Sequence, residues 1–297
     1  MSHQPVIGII SPGDMGHSIG AVLHAHGLRV ITNLVGRSIR TTTLAAEAGI
    51  IDVGDNQTLV READILLSIL VPAHAYSFAE SIAEVVRATS ARTLFVECNA
   101  IAPRTVQAIE QLFAGTSTDI VDVGIIGSPP QVEGTSGPRF YVSGAQAEQL
   151  VILNAYGLDI RVLGPHVGQA SGLKMCYASL TKGLTALATE ALTAGQALGL
   201  TDALFSELQF SQSTLLHMFK GHIPSMPPKA YRWVGEMEEI ARTFSDLGLP
   251  PQMLEGAAAV YRLVEQTELG NETPEERHRG QSLEDVIAIL AAYLGKS

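Results

Sequence analysis

A lone cation in an apolar stretch is the first sign of chemistry in this sequence. Between Pro165 and Thr201 the charged side chains are Lys174, Lys182 and Glu190, set among Ala, Leu, Thr and Ser. Burying an ammonium is costly, so a lysine there is at an edge, paired, or kept for a purpose. Desolvation would bring Lys174 down from a pKa of about 10.4 towards neutrality, where general acid–base work is most efficient. Lys182 follows eight residues later, roughly 80° further round a helix of 3.6 residues per turn, and is expected to snorkel on another face.

A second constellation lies at the start of the chain. Residues 6–10 are an apolar run around Gly8, as in a central parallel strand, and Ser11, Pro12, Gly13, Asp14, Met15 and Gly16 follow at once. Gly13 lets the backbone approach a ligand closely, and Gly16 lets the next helix pack on the strand. That helix, opening near Asp14, would point free N–H groups and a positive dipole end at a pyrophosphate. The pattern Ser11-x-Gly13-x-x-Gly16 has serine where the dinucleotide fingerprint places its first glycine. By itself it equally describes a tight strand-to-helix turn.

Three further groups would line the same rim. Arg37 and Ser38, with Arg40, come just after a second strand at 30–31, where a free ribose 2′-hydroxyl would favour an acid; this chain has Thr32 and Asn33. Cationic and hydroxyl groups suit a 2′-phosphate, so NADP(H) is expected over NAD(H). Val71, Pro72 and Asn99 end two more strands, where a nicotinamide ribose would lie, although asparagine after a strand is also ordinary turn chemistry. Finally, Gly124 to Pro130 and Gly134 to Gly137 are dense in Gly and Pro. Backbone N–H groups exposed there can hold a carboxylate or phosphate, and loop punctuation is the plain alternative.

The elements that must position these residues alternate. Strands are expected at 30–31, 50–53, 65–70, 93–97, 120–123, 140–142 and 160–163, with helices at 38–48, at 74–88, after Pro103 and from Ala145. This order implies a doubly wound, mostly parallel α/β sheet with ligands at the carboxyl ends of its strands. At Gly164-Pro165 the pattern changes to helices at 169–198, 203–219, 230–247, 253–264 and 283–294. The expected division is a cofactor domain over 1–165 and an all-helical domain over 166–297.

Composition narrows the field. With 46% hydrophobic and 16% charged residues, 297 residues suffice for two globular cores. No apolar run approaches the roughly 20 residues of a membrane helix, and the N-terminus lacks a signal peptide's regions, so a cytoplasmic protein is expected. A formal charge of −11 disfavours nucleic acid or an anionic membrane as a partner. Two cysteines and no His-Glu-x-x-His pair argue against a disulfide framework and a metal site.

Taken together, the glycine turn, Val71-Pro72, Asp122 to Ser128, and Gly168-Gln169-Ala170-Ser171-Gly172-Leu173-Lys174 resemble the β-hydroxyacid dehydrogenases, the group of 3-hydroxyisobutyrate and 6-phosphogluconate dehydrogenases. The imine reductases share that fold. The segment from Tyr231 to Ile240 resembles a branch whose C-terminal helical domain has unknown function. The resemblance implies a Rossmann domain, a helical domain for substrate binding and homodimerisation, and Lys174 as general acid–base. Ile126, Gly127 and Ser128 stand where the family has its Ser-Gly-Gly substrate segment. Tyr177 and Ala178 stand where an asparagine is expected, and Tyr177 is a candidate proton or hydrogen-bond donor, or equally a core tyrosine. The activity implied is hydride transfer between NADP(H) and a hydroxy or oxo acid or related carbonyl compound. An imine or opine-type reductase is the runner-up, and a non-catalytic cofactor-binding sensor the alternative from another class.

Overall fold

The computed structural model describes residues 4–132, 137–273 and 277–295. Two compact units divide between Met175 and Cys176. The first is built on one eight-stranded sheet: β1 (Ile7–Ile10), β2 (Val30–Thr32), β3 (Ile51–Asp52), β4 (Ile65–Ser68), β5 (Leu94–Glu97), β6 (Ile120–Ile126), β7 (Arg139–Ser143) and β8 (Asp159–Gly164). Their spatial order is β3-β2-β1-β4-β5-β6-β7-β8. The strands from β3 through β6 pair in parallel. This is the Rossmann-type arrangement the alternation implies.

Both faces of the sheet are covered, which is why its central strands read as unbroken apolar runs. Ile7, Ile9, Leu67 and Val96 pack with Ile19, Val22 and Leu23 of α1 (Asp14–Ala25). Leu66 and Phe95, on the other face, pack with residues of α3 (Asn56–Glu62), α4 (Ala75–Thr89) and α5 (Pro103–Leu112). Between β2 and β3 lies α2 (Ile39–Glu47), its N-terminus capped by Ser38.

Local details depart from the expected pattern. β7 runs antiparallel to β6, because the link between Ile126 and Arg139 carries no described helix to serve as a parallel crossover. Helix α3 is an addition: Asp55 accepts the Thr58 N–H at 2.7 Å and caps a turn too short to show a periodic apolar face. Residues Ala147–Tyr156 form 3₁₀ turns instead of an α-helix.

Helix α6 (Gln169–Ala197) opens in the first unit and runs into the second. There follow α7 (Thr201–Ser211), α8 (Ser213–Ser225), α9 (Ala230–Asp246), α10 (Gln252–Glu265) and α11 (Leu283–Leu294). The single helix expected over 203–219 is two, since Gln212 leaves helical geometry (φ −141°, ψ 42°) between two serines. In the second unit Lys182 does not snorkel. Its ammonium is paired with Glu236 and stands 5.1 Å from the Trp233 ring centroid, and the buried Tyr261 hydroxyl donates to the Lys182 carbonyl at 2.5 Å. Removing one partner from such a pair costs more than the pair contributes, because the other charge is left in apolar surroundings. Among the described residues, no helix is long and apolar enough to cross a membrane.

Candidate active site

The β1–α1 turn is built as a cradle. Ser11 adopts a left-handed backbone (φ 58°), the conformation for which the missing first glycine would be suited. Gly13 N donates to Ser11 O at 2.7 Å and tightens the turn. A Cβ on Gly16 would stand 3.0 Å from Ser11 O and 3.3 Å from Ile9 Cγ2, so glycine sets the approach of helix to strand. A Cβ on Gly13 would meet nothing nearer than Ser11 O at 4.0 Å, which leaves the backbone open to a ligand. No side chain caps α1. A helix start without a side-chain cap, beside an open glycine, is what a pyrophosphate requires, and these residues fit that group.

The Asp14 carboxylate in this first turn would repel phosphate, but Arg40 of α2 pairs with it at 2.5 Å. Arg37 is half-buried, 5.9 Å from the Phe78 ring centroid, and burial pulls its guanidinium below its ordinary value. An anion alongside would reverse that penalty. Ser38 Oγ accepts from Thr41 N at 3.2 Å as the cap of α2. Thr32 donates to Ile9 O at 2.6 Å, and Asn33 donates to Asn56 Oδ1 at 2.8 Å. Thus no acid follows β2 in the chain before Arg37 and Arg40, and the Asp52 carboxylate of β3, which reaches this end of the sheet, accepts from Leu34 N at 3.1 Å and Gly54 N at 3.0 Å.

At the ends of β4 and β5 the Asn99 side chain is engaged in a buried polar network. Its Oδ1 accepts from Leu70 N, its Nδ2 donates to Ser68 Oγ at 3.2 Å, and its own N–H donates to Glu97 Oε1 at 2.8 Å. Asn99 therefore ties together the two strand ends from which Val71 and Pro72 depart. Glu97 is 1% exposed, and Oε2 has no hydrogen-bond partner among the described residues. Burial pushes its carboxyl up to about 7, against the pull of its Asn99 and Ser68 hydrogen bonds.

Lys174 reaches the same corner from α6. Its Nζ lies 3.5 Å from Cys98 O, the carbonyl just beyond β5. The helix is pinned there by the sheet. Asp122 of β6 accepts from Gly168 N at 2.9 Å, Ser171 N at 3.0 Å and Ser171 Oγ at 2.5 Å, while Ser143 of β7 accepts from Ala170 N at 3.0 Å and donates to Asp122 at 3.1 Å. These bonds satisfy donors at the start of α6 that would otherwise be orphaned in the interior. Burial pushes the Asp122 carboxyl up and those donors pull it back. A Cβ on Gly124 would stand 2.6 Å from Ala170 O and 3.2 Å from Lys174 Cβ, so this glycine admits α6 onto β6.

The rim is thus contiguous: Ser11 to Gly16, Arg37 and Ser38, Val71 and Pro72, Asn99, and Ile126 to Ser128 follow the carboxyl ends of β1, β2, β4, β5 and β6. Gly124 and Ile125 lie within β6 itself, Gly127 turns the chain with φ 130°, and Gly127 and Ser128 are exposed. Gly134, Thr135 and Ser136 lie outside the described residues. Tyr177 falls in the second compact unit and is half-exposed. The sequence alone assigns no role of their own to Glu97, Asp122 and Ser143. The available signal was an acid inside each of two apolar strand runs, Phe95-Val96-Glu97 and Val121-Asp122-Val123.

A family model described as the NAD binding domain of 6-phosphogluconate dehydrogenase matches residues 6–157, and a domain of unknown function, DUF1932, matches residues 196–264. An uncharacterised 28.5 kDa protein of Methanothermus fervidus is 26% identical over 88% of this chain and 99% of its own. Among solved structures, a conserved protein of unknown function, described as structurally similar to 3-hydroxyacid dehydrogenases, is 27% identical, with a TM-score of 0.64 over 88% of this chain and 96% of its own. A 3-hydroxyisobutyrate dehydrogenase of Mycobacterium tuberculosis superposes with a TM-score of 0.68 at 17% identity, over 98% and 99% of the two chains. An imine reductase of Myxococcus stipitatus, solved with NAD+, gives 0.56 at 17% identity over 98% and 100%. At 17% identity the last two likenesses concern fold.

Proposed function

Because the chain belongs to the family of the 6-phosphogluconate dehydrogenase NAD binding domain, we propose that it is an NAD(P)-dependent oxidoreductase that works with NADP(H) on a hydroxy or oxo acid or related carbonyl compound, with Lys174 as general acid–base. The observation that carries this reading is the Lys174 ammonium, held at the end of β5 by a helix whose first turn is bonded to the sheet. Bound nicotinamide supplies the hydride chemistry.

The chain's own groups do the rest. First-turn N–H groups of α1 hold the pyrophosphate, Arg37 and Ser38 the 2′-phosphate, and the lip of Val71, Pro72 and Asn99 the nicotinamide ribose. Neutral Lys174 takes the hydroxyl proton of an alcohol as it is oxidised, and its ammonium returns a proton to the developing alkoxide in reduction. Backbone N–H groups of Ile126, Gly127 and Ser128 receive the substrate's anionic end. Tyr177 is an additional donor in this scheme.

Helix α6 also supports a homodimer. Tyr177, Leu180, Leu184 and Leu187 recur at intervals of three, four and three residues and remain 50%, 65%, 38% and 57% exposed, an apolar stripe that a second copy of the chain would cover. The helical domain, taken as 166–297, then serves both substrate binding and dimerisation, in a cytoplasmic protein. An imine or opine-type reductase is the second reading, favoured by Ile126 and Ala178, which are apolar where the family pattern has serine and asparagine.

Fluorescence titration with NADPH and NADH at matched salt tests the cofactor assignment. NADPH should bind about 10- to 100-fold more tightly, the worth of a charge-assisted contact of roughly 1.5–3 kcal/mol, and Arg37→Ala should remove that preference. Equal affinities would overturn the NADP(H) assignment, and binding of neither would overturn the oxidoreductase reading.

A further inference from the structure

The peptide unit between Cys98 and Asn99 is gripped at both ends. Its carbonyl faces Lys174 Nζ at 3.5 Å, and its N–H donates to Glu97 Oε1 at 2.8 Å. A lysine and a buried carboxyl group thus act on one amide from opposite sides. We infer that Glu97 is a positioning residue for Lys174: its carboxylate polarises the Cys98–Asn99 peptide and thereby stabilises the ammonium form of Lys174 at the reaction corner. This inference rests on the reading of Lys174 as general acid–base and goes further, naming the group that sets its proton affinity.

Glu97 also takes part in the Asn99 and Ser68 network, and that network does not fill its carboxyl. Its carboxyl is buried, one oxygen accepts from the relay peptide, and the other meets no partner among the described residues. A structural carboxylate in an interior ordinarily has its acceptor sites filled, as Asp122 does next to it in the sheet. An amide whose N–H donates to a carboxylate carries more negative charge on its oxygen, so Cys98 O attracts an ammonium more strongly when Glu97 is ionised. Protonation of Glu97 weakens that attraction. Since burial places its titration at about 7, the relay changes state close to neutral pH.

Other ionisable groups face this corner from the neighbouring elements. Asp122 of β6 raises the proton affinity of Glu97, and the Cys98 thiol just beyond β5 is pushed up by burial, by Glu97 and by Asp122, while Lys174 of α6 pulls it down. β4 presents the Ser68 hydroxyl. The residues that α4 and α5 bury are apolar, among them Ala79, Ile82, Val106 and Ile109. Glu97 is the group here that bonds directly to the peptide whose carbonyl faces Lys174.

The test is a ¹³C NMR titration of the lysine ε-carbons in the full chain, which has five lysines. The Lys174 signal is assigned by its loss in Lys174→Arg. In Glu97→Gln the amide hydrogen bond is kept and the charge removed. Lys174 should then titrate about half a unit lower, as expected for removal of an opposite charge acting through one intervening dipole. The wild-type Lys174 signal should show a second inflection near the ionisation of Glu97, and the variant should lack it. The wild-type curve decides the matter even if Glu97→Gln does not fold. A single inflection in wild type, or an unchanged Lys174 midpoint in the variant, would overturn the inference. Because this readout needs no substrate, it is independent of turnover, whereas loss of the acid–base reading itself would appear as undiminished turnover in Lys174→Met.

Discussion

Single residues carry the site's electrostatics, and Glu97 gives the sharpest consequence. Its carboxyl moves from an ordinary value near 4.5 to about 7 on burial. The folded state therefore binds a proton more tightly than the unfolded chain, and the stability this brings is complete below pH 4.5 and lost as pH rises through 7. The shift corresponds to about 3 kcal/mol. Chemical denaturation at intervals from pH 4.5 to 8 should show wild type losing stability relative to Glu97→Gln across that window; parallel curves would mean that Glu97 ionises as freely when folded. Lys174 was legible in the sequence because one charge in an apolar helix stands out. Glu97 and Asp122 were not, because an acid at the end of an apolar strand looks the same whether it faces solvent or the core. Their burial depends on pairing across the sheet, where Ser68, Glu97, Asp122 and Ser143 fall on one cross-strand level.

Elements convert those charges into geometry. Helix α6 holds Lys174 at its corner because β6 and β7 satisfy its opening N–H groups and Gly124 leaves room for its backbone. Asp122→Ala strips the helix of three donated bonds and should destabilise the protein by about 2–4 kcal/mol, read from the denaturant midpoint. Gly124→Ala places a methyl 2.6 Å from Ala170 O, a backbone atom that cannot rotate away. Turnover with NADPH should fall about tenfold or more while cofactor affinity holds, since the cradle of α1 is untouched. Undiminished turnover would show that α6 need not seat so closely. The alternation of strand and helix was readable because each apolar run had its local period and its turn residues. The antiparallel β7 and the short α3 were not, since one depends on what the preceding loop can span and the other on a single Asp55 cap.

At the scale of the molecule, one chain carries a dinucleotide-binding unit and a helical unit, and the assembly proposed for it is a dimer. The apolar stripe from Tyr177 to Leu187 is the surface on which the proposed dimer would depend, and Leu184→Glu would set a like charge on each side of it. Sedimentation should show wild type as a dimer and Leu184→Glu as a monomer; wild type running as a monomer would refute the assembly. The central claim is that Lys174 moves the proton, and steady-state kinetics of Lys174→Met, on a substrate found by screening hydroxy acids, ketones and imines with NADP(H), tests it most directly. The variant's kcat/KM is expected to fall about 10²- to 10⁴-fold with NADPH affinity nearly unchanged. A kcat/KM within a few-fold of wild type would contradict it.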